Sequence, residues 1–568
     1  MERFTKGTTR KDKRCIAYFS MEIGLESGIP TYSGGLGVLA GDTIKSAADL
    51  NVPIVAVTLL YRKGYFDQKL DSDGNQTEND VAWNPKDHLS KLKEKITVKI
   101  EGRNVAVTAW QYDTEGIGGY RVPVLFLDTD LKENSEHDRH ITDRLYGGDQ
   151  KYRFCQEIVL GIGGIRILEK LGYTGIRKYH MNEGHSALLT LELLKKDIAA
   201  SKEKVYLKHN DNIRSKCVFT THTPVPAGHD QFPLDLVKSV LGNLVPSDEI
   251  ESISHEGKLN MTYLALECSQ YINGVAKKHG EISRQMFPGY LIDSITNGVH
   301  SATWTSRHFK DLYDRYIPGW KNDSFSLRYA LNIPNNDIWD AHLKAKEELF
   351  AYIKEKTGTE MSPDTFTIGF ARRSTAYKRG DLLLSSVEKL AKIAETVGPI
   401  QIVYSGKAHP KDGAGKDLIQ NIFSKINEMK GKIKIVYLEN YGMDMAGLLV
   451  SGVDLWLNTP LRPLEASGTS GMKACHNAVP NLSVLDGWWI EGHLEDVTGW
   501  SIGSRNPDNS RCDDAKDIYD KLEMKIMPKY YNHRDGWIDT MKHAIAYNAS
   551  FFNTHRMMHQ YVLNAYFK

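Results

Sequence analysis

Short β-rich runs alternate with stretches of helical periodicity from one end of this chain to the other, and this rhythm constrains the fold more than any other feature. Strands separated by helical crossovers build parallel sheets, so the fold class is α/β. In the first half, residues 16–20, 54–60, 179–182 and 217–220 read as strands, each running into polar or glycine-rich residues at its C-terminal end. Ligands bind at that end in open α/β sheets. After a helix-prone connector at 339–356, a second series follows at 366–371, 401–404, 433–438, 454–457 and 481–485. The pattern predicts two Rossmann-like lobes facing a cleft, with the site in the cleft.

At about 150 residues per domain, 568 residues allow roughly four domains, and two large lobes fit as well. Asn297-Gly298, Pro318-Gly319 and Pro334 break the periodicity and place the boundary between 300 and 335. The expected division is an N-terminal lobe at 1–310, a C-terminal lobe at 311–535, and an aromatic helical tail at 536–568 that packs back on the first lobe. The 72 basic and 71 acidic side chains leave a net charge of +1, so no whole-molecule field favours nucleic acid or an anionic membrane. Six scattered cysteines, at 15, 155, 217, 268, 475 and 512, form no CxxC pair and suit reduced thiols. The apolar stretch behind the basic start is too short for a signal peptide, and no apolar run reaches the ~20 residues of a membrane helix. A cytoplasmic location is expected.

Three segments carry candidate chemistry. Ser33-Gly34-Gly35-Leu36-Gly37 lies between the first strand and a helical stretch, where backbone N–H groups can face an anion or simply make a tight turn. Arg372, Arg373, Lys378 and Arg379 crowd the turn after 366–371, ahead of a helical pattern at Leu383, Val387 and Leu390. Cations at a helix N-terminus oppose its dipole by about 0.3–1 kcal/mol each, a cost that a bound phosphate offsets. Residues 465–473 read EASGTSGMK, in which small hydroxyl and glycine residues are bracketed by Glu465 and Lys473. Such a loop can cradle a phosphate, and a lysine can form a Schiff base; the spacing does not choose the cofactor. Asn182, His185, His222 and Asn297 fall at predicted strand ends and are candidate substrate contacts. Neither His185 nor His222 has a histidine four residues away to support a metal site, so no metal is expected. Trp488 and Trp489 offer flat faces for a sugar, though indoles more often fill cores.

The motif EASGTSGMK resembles the cofactor motif of the α-glucan (glycogen, starch and maltodextrin) phosphorylases, EASGTGNMK in long members. Ser33 to Gly37 is similar to that family's glycine loop, RSTAYKR at 373–379 to its RIHEYKR, and Thr296-Asn297-Gly298 to a further signature. The resemblance runs over nearly the whole chain and identifies a short form. It implies a glycosyltransferase-B fold and reversible phosphorolysis of α-1,4-glucan or maltodextrin by inorganic phosphate, releasing α-glucose 1-phosphate with retention. It further implies pyridoxal 5′-phosphate held as an imine on Lys473, with Thr469, Ser470, Arg372 and Gly34 around the cofactor phosphate. Gly35, Arg373 and Lys378 are implied to grip the substrate phosphate, and Glu465, Ser467, Gly468, Asn297 and His222 to contact the glucosyl unit. Asn182 and His185 join the substrate set by their place at a strand end. Catalysis is assigned to Lys473, Arg373, Lys378, Glu465 and His222. One departure stands out: where the family has an arginine after the tyrosine of ENYR, this chain has Tyr441-Gly442. A homo-oligomer is compatible with the resemblance. The alternative is a nucleotide-sugar-dependent glucan synthase of the same fold.

Overall fold

The computed structural model describes residues 10–567 apart from 202–205, 208–209, 226–227, 243, 245 and 505–512, so Cys512 and residues 1–9 lie outside the described residues. The contacts divide the chain into two compact units. The first comprises Met1–Phe66, Asp80–Thr296 and Met557–Lys568; the second comprises Asp67–Asn79 and Asn297–Arg556.

The first unit is built on a nine-stranded sheet ordered Asp293–Ser294, Tyr271–Gly274, Cys217–Thr220, Lys178–Asn182, Ile16–Ser20, Ile54–Leu59, Arg121–Asp128, Arg103–Glu115, Ser90–Ile100. Neighbours are parallel through Arg121–Asp128, and the last two strands add antiparallel. Ile16–Ser20 and Ile54–Leu59 are buried at every residue, which is why they read as unbroken apolar runs. Ala17 and Phe19 enter one core with Ile158 and Ile165, whereas Ile16 and Tyr18 enter the other with Leu39 and Ile44. At the sheet's edge, Ser90–Ile100 alternates exposed lysines with inward apolar residues, the pattern that discourages further strand pairing. The final helical segment docks through Tyr566, whose hydroxyl lies 2.7 Å from Nδ1 of His180, and through Tyr561, whose hydroxyl accepts from Asn273 Nδ2 at 3.1 Å.

The second unit holds a six-stranded, wholly parallel sheet ordered Lys434–Leu438, Ile400–Ser405, Phe366–Ala371, Leu455–Asn458, Asn481–Val484, Gly499–Ile502. Numbered along the chain this is 3-2-1-4-5-6, a doubly wound order whose switch point falls between Phe366–Ala371 and Leu455–Asn458. The helix Asn335–Thr357 ends on Gly358 in the left-handed conformation. It is tied to the sheet by Asp454, which accepts from Lys346 Nζ at 2.6 Å and lies 2.8 Å from His342 Nε2. All three side chains are buried.

The hairpin Asp67–Leu70/Gln76–Asn79 belongs to the second unit although it lies early in the chain. Gln68 donates to the Gly406 carbonyl at 2.9 Å and accepts from the Asn440 N–H at 2.8 Å, while Gln76 exchanges two hydrogen bonds with Ala408. Trp488 and Trp489 are buried in the core of this unit. The five described cysteines are all unbonded thiols, and among the described residues no helix is long and apolar enough to cross a membrane.

Candidate functional site

At the switch point of the second unit, Phe366–Ala371 runs directly into Arg372, whose backbone N–H donates to the Ser405 carbonyl at 3.1 Å. Its guanidinium Nη2 reaches Oε2 of Glu465 at 2.5 Å, and Lys378 Nζ reaches the same oxygen at 2.6 Å. All three groups are buried. Burial alone would raise the Glu465 carboxyl, but the two cations outweigh it and hold it at about 2. Lys378 is aimed by the turn Ala376–Lys378, since its carbonyl accepts from the Thr459 hydroxyl at 2.9 Å. Arg379 next to it, at φ 47°, donates to the carbonyls of Thr459 and Pro460 and pairs with Asp514 at 2.7 Å. It therefore fixes the turn rather than facing a ligand. Arg373 is exposed. The α-helix expected straight after these cations begins only at Val387, so helix-dipole opposition plays no part in their placement.

Residues 465–469 are held from below by a segment of which only the indoles stand out in the sequence. Asp486 accepts the Glu465 N–H at 2.9 Å, and the Ser467 carbonyl accepts the Trp488 N–H at 2.9 Å. Gly487 lies so close that a Cβ there would stand 2.2 Å from the Ser467 carbonyl oxygen. Gly468 has φ 77°, which an L side chain adopts only under strain. Burial pushes the Asp486 carboxyl up to about 6, against the Glu465 and Gly487 amides that favour its charge.

Lys473 lies in the helix Ser470–Cys475, behind Thr469 at the cap, and is buried. Its Nζ sits 3.6 Å from the ring centroid of Trp304. Asn477 locks the pair by donating to the carbonyls of Trp304 at 2.8 Å and Lys473 at 3.0 Å. Trp304 carries no motif of its own, and nothing in the sequence singles it out. The Ser470 hydroxyl accepts from Trp456 Nε1 at 3.0 Å. Asn297 is fixed through its carbonyl, which accepts from Arg556 Nη2 at 2.9 Å, and through Gly298, packed against Asn553. Its Oδ1, the Ser467 hydroxyl and Arg372 Nη1 are buried with no hydrogen-bond partner among the described residues.

In the first unit, the glycine loop leads into the helix Gly35–Asp49. The backbone N–H groups of Ser33 and Gly34 both donate to Oε2 of the buried Glu22, at 2.5 and 3.1 Å, and Tyr146 donates to its Oε1 at 2.8 Å. The Gly34 amide is thus engaged by a carboxylate, and Gly35 is the first helical residue. A side chain at Gly37 would force a shift, because its Cβ would stand 2.7 Å from the same carboxylate and from Tyr32 Cβ. At the end of Lys178–Asn182, Asn182 Oδ1 lies 2.6 Å from His222 Nε2. Burial drives His222 and His185 down to about 3, so both are neutral imidazoles near pH 7. His185 turns instead toward Asp230, 3.6 Å away, beside Arg153. Within each unit the structure therefore joins Arg372, Lys378 and Glu465, joins Asn182 and His222, and turns His185 toward Asp230, while the exposed Arg373 lines a small cavity together with Lys378.

Residues 246–499 match the carbohydrate phosphorylase family. The chain is 41% identical to a maltodextrin phosphorylase of Thermococcus litoralis, over 97% of this chain and 70% of that protein. It is 37% identical to a glycogen phosphorylase of Mycobacterium tuberculosis, over 97% and 70%, and 35% identical to one of Aquifex aeolicus, over 98% and 86%.

Proposed function

Because this chain belongs to the carbohydrate phosphorylase family, we propose the following division of labour for the phosphorolysis of α-glucan that it catalyses. The observation that carries it is the buried cluster in which Arg372 and Lys378 converge on Glu465 at a sheet's switch point. Two cations that close can bind phosphate, and a carboxylate beside them can accept sugar hydroxyls. Lys378, joined by Arg373, binds inorganic phosphate. Glu465, Ser467, Gly468, Asn297 and the His222 segment hold the terminal glucosyl unit, with Gly35 on the phosphate side.

The bound phosphate gives its proton to the departing glycosidic oxygen as the C1–O bond breaks, and then forms the new C1–O bond on the same face. Positive charge developing on the sugar is met by phosphate oxygens and by the His222 carbonyl, which costs no reorganisation because both are held in place. A retaining hydrolase would instead need two carboxylates about 5–5.5 Å apart.

The residues also fit pyridoxal 5′-phosphate. Lys473 offers a buried amine that an imine link could use, and Arg372 has a buried nitrogen to spare, with Thr469 and Ser470 alongside and Gly34 in the same assigned set. Bound there, the cofactor would supply a phosphate dianion to the site. Lys473, Arg372 and Thr469 hold it; none of them exchanges a proton with the sugar. The two-lobed glycosyltransferase-B arrangement and a cytoplasmic location, which unbonded thiols suit, complete this reading. A glucan synthase using a nucleotide sugar is not favoured.

The test incubates maltodextrin with and without inorganic phosphate and follows glucose 1-phosphate, for the wild type and Lys473→Ala. Product should require phosphate and fall by at least ~100-fold in the variant, the scale of losing a positioned catalytic element. Full activity in Lys473→Ala would remove the cofactor assignment, and phosphate-independent glucan synthesis from a nucleotide sugar would remove the reaction.

A further inference from the structure

Glu183 belongs to none of the roles above. It follows Asn182 at the end of Lys178–Asn182, is buried, and has φ 72°, a region that non-glycine residues rarely occupy. Backbone held there without glycine marks a place where the surroundings impose the conformation. What the conformation achieves is specific: the carboxylate turns across the C-terminal ends of two neighbouring strands onto the segment after Cys217–Thr220. Its Oε2 accepts the His222 N–H at 2.7 Å and the Thr223 hydroxyl at 3.1 Å, and Oε1 accepts the Thr221 hydroxyl at 3.4 Å. The Glu183 N–H donates to the Thr220 carbonyl at 2.9 Å, so the two strand ends are fastened at both backbone and side chain.

Burial pushes the Glu183 carboxyl up to about 7, with the His222 amide and Thr223 hydroxyl opposing that rise. An apolar residue in its place would leave the His222 N–H and the Thr221 and Thr223 hydroxyls without this acceptor. The three acceptor bonds all land on one three-residue segment, Thr221-His222-Thr223. Asn182 fixes the His222 imidazole, whereas Glu183 fixes the backbone on which that ring and the His222 carbonyl ride.

We propose that Glu183 is a positioning residue for the phosphorolysis, holding the Thr221-His222-Thr223 backbone so that the His222 carbonyl faces the glucosyl unit. The proposal rests on the reading of His222 as a glucosyl contact. It predicts a loss confined to the sugar. Losing a charge-assisted anchor is expected to lower kcat/KM for maltodextrin by about 10- to 100-fold in Glu183→Ala, with KM for inorganic phosphate within about twofold. Glu183→Gln keeps a neutral, weaker acceptor for the His222 N–H, so a loss of about three- to tenfold is expected. Hydrogen exchange should quicken at the amides of residues 221–223 in the same order. If Glu183→Ala does not fold, Glu183→Gln decides alone. Wild-type maltodextrin kinetics in a folded variant, or equal losses toward phosphate and maltodextrin, would overturn the proposal. Hydrogen exchange separates the proposal from its premise. If exchange at 221–223 quickens in Glu183→Ala while maltodextrin kinetics stay wild type, the anchor exists but the reading of His222 as a glucosyl contact fails and the proposal with it; if exchange there is unchanged, Glu183 does not hold that backbone.

Discussion

A single oxygen, Oε2 of Glu465, is shared by Arg372 and Lys378. The carboxylate assigned to the sugar and the phosphate assigned to Lys378 therefore draw on the same cation. In Glu465→Gln that cation loses its internal partner, so KM for phosphate should fall by about two- to tenfold while kcat/KM for maltodextrin falls by at least ~100-fold. Initial rates with each substrate varied in turn separate the two effects, and a raised KM for phosphate would place Lys378 outside the phosphate site. With Glu465 held at about 2, its charge is constant over the pH range in which the fold is stable, so an acidic limb of the rate profile belongs to other groups.

At the scale of elements, Asp454 joins the helix Asn335–Thr357 to the sheet that carries the site. Burial would raise its carboxyl, but Lys346 and His342 more than compensate and keep it ionised. Asp454→Ala strands a buried ammonium, so a loss of about 3–5 kcal/mol in stability is expected, read as a lower urea midpoint. The strands of both sheets' interiors are legible in the amino-acid pattern. Ile16–Ser20, Cys217–Thr220 and Phe366–Ala371 fall where the apolar runs place them, because a strand buried on both faces has to be continuously apolar. The antiparallel pair Ser90–Ile100 and Arg103–Glu115 does not stand out in the same way: one-faced burial and an edge lined with lysine dilute the apolar signal. EASGTSGMK is legible as a candidate site through its resemblance to a family motif, because glycines and hydroxyls in a row by themselves leave the ligand open. Asp486, Gly487, Trp304 and Glu183 stay hidden because each matters through a partner distant in sequence, and residue type alone does not reveal a partner.

Across the molecule, histidines buried as neutral rings govern the response to acid. His180 lies at about 3, and His279 and His476 at about 4, all depressed by burial from an unfolded value near 6.5. Their folded values lie below the unfolded one, so their contribution is complete above pH 6.5 and is lost as pH falls toward 4. Each removes about 1.4 kcal/mol per pH unit in that window. Urea midpoints measured from pH 7 to 5 should fall steadily, and His180→Gln should flatten the slope by about 1.4 kcal/mol per unit. An unchanged slope would mean that His180 takes up its proton in the fold at the same pH as in the unfolded chain.

The hairpin Asp67–Leu70/Gln76–Asn79 sets an order of events during synthesis. Its partners Gly406 and Ala408 lie 338 and 332 residues downstream, so it leaves the ribosome long before the sheet that receives it exists. The loops after Ile400–Ser405 and Lys434–Leu438 are in turn braced by Gln68 and Gln76, residues made long before them. Closing so long a loop is an entropic debt that grows only logarithmically with length, so the arrangement is tolerable at equilibrium but slow to form. A gene fragment beginning at residue 297 would therefore encode a second unit lacking one of its own parts, and separately made halves could regain that part only by complementation in trans.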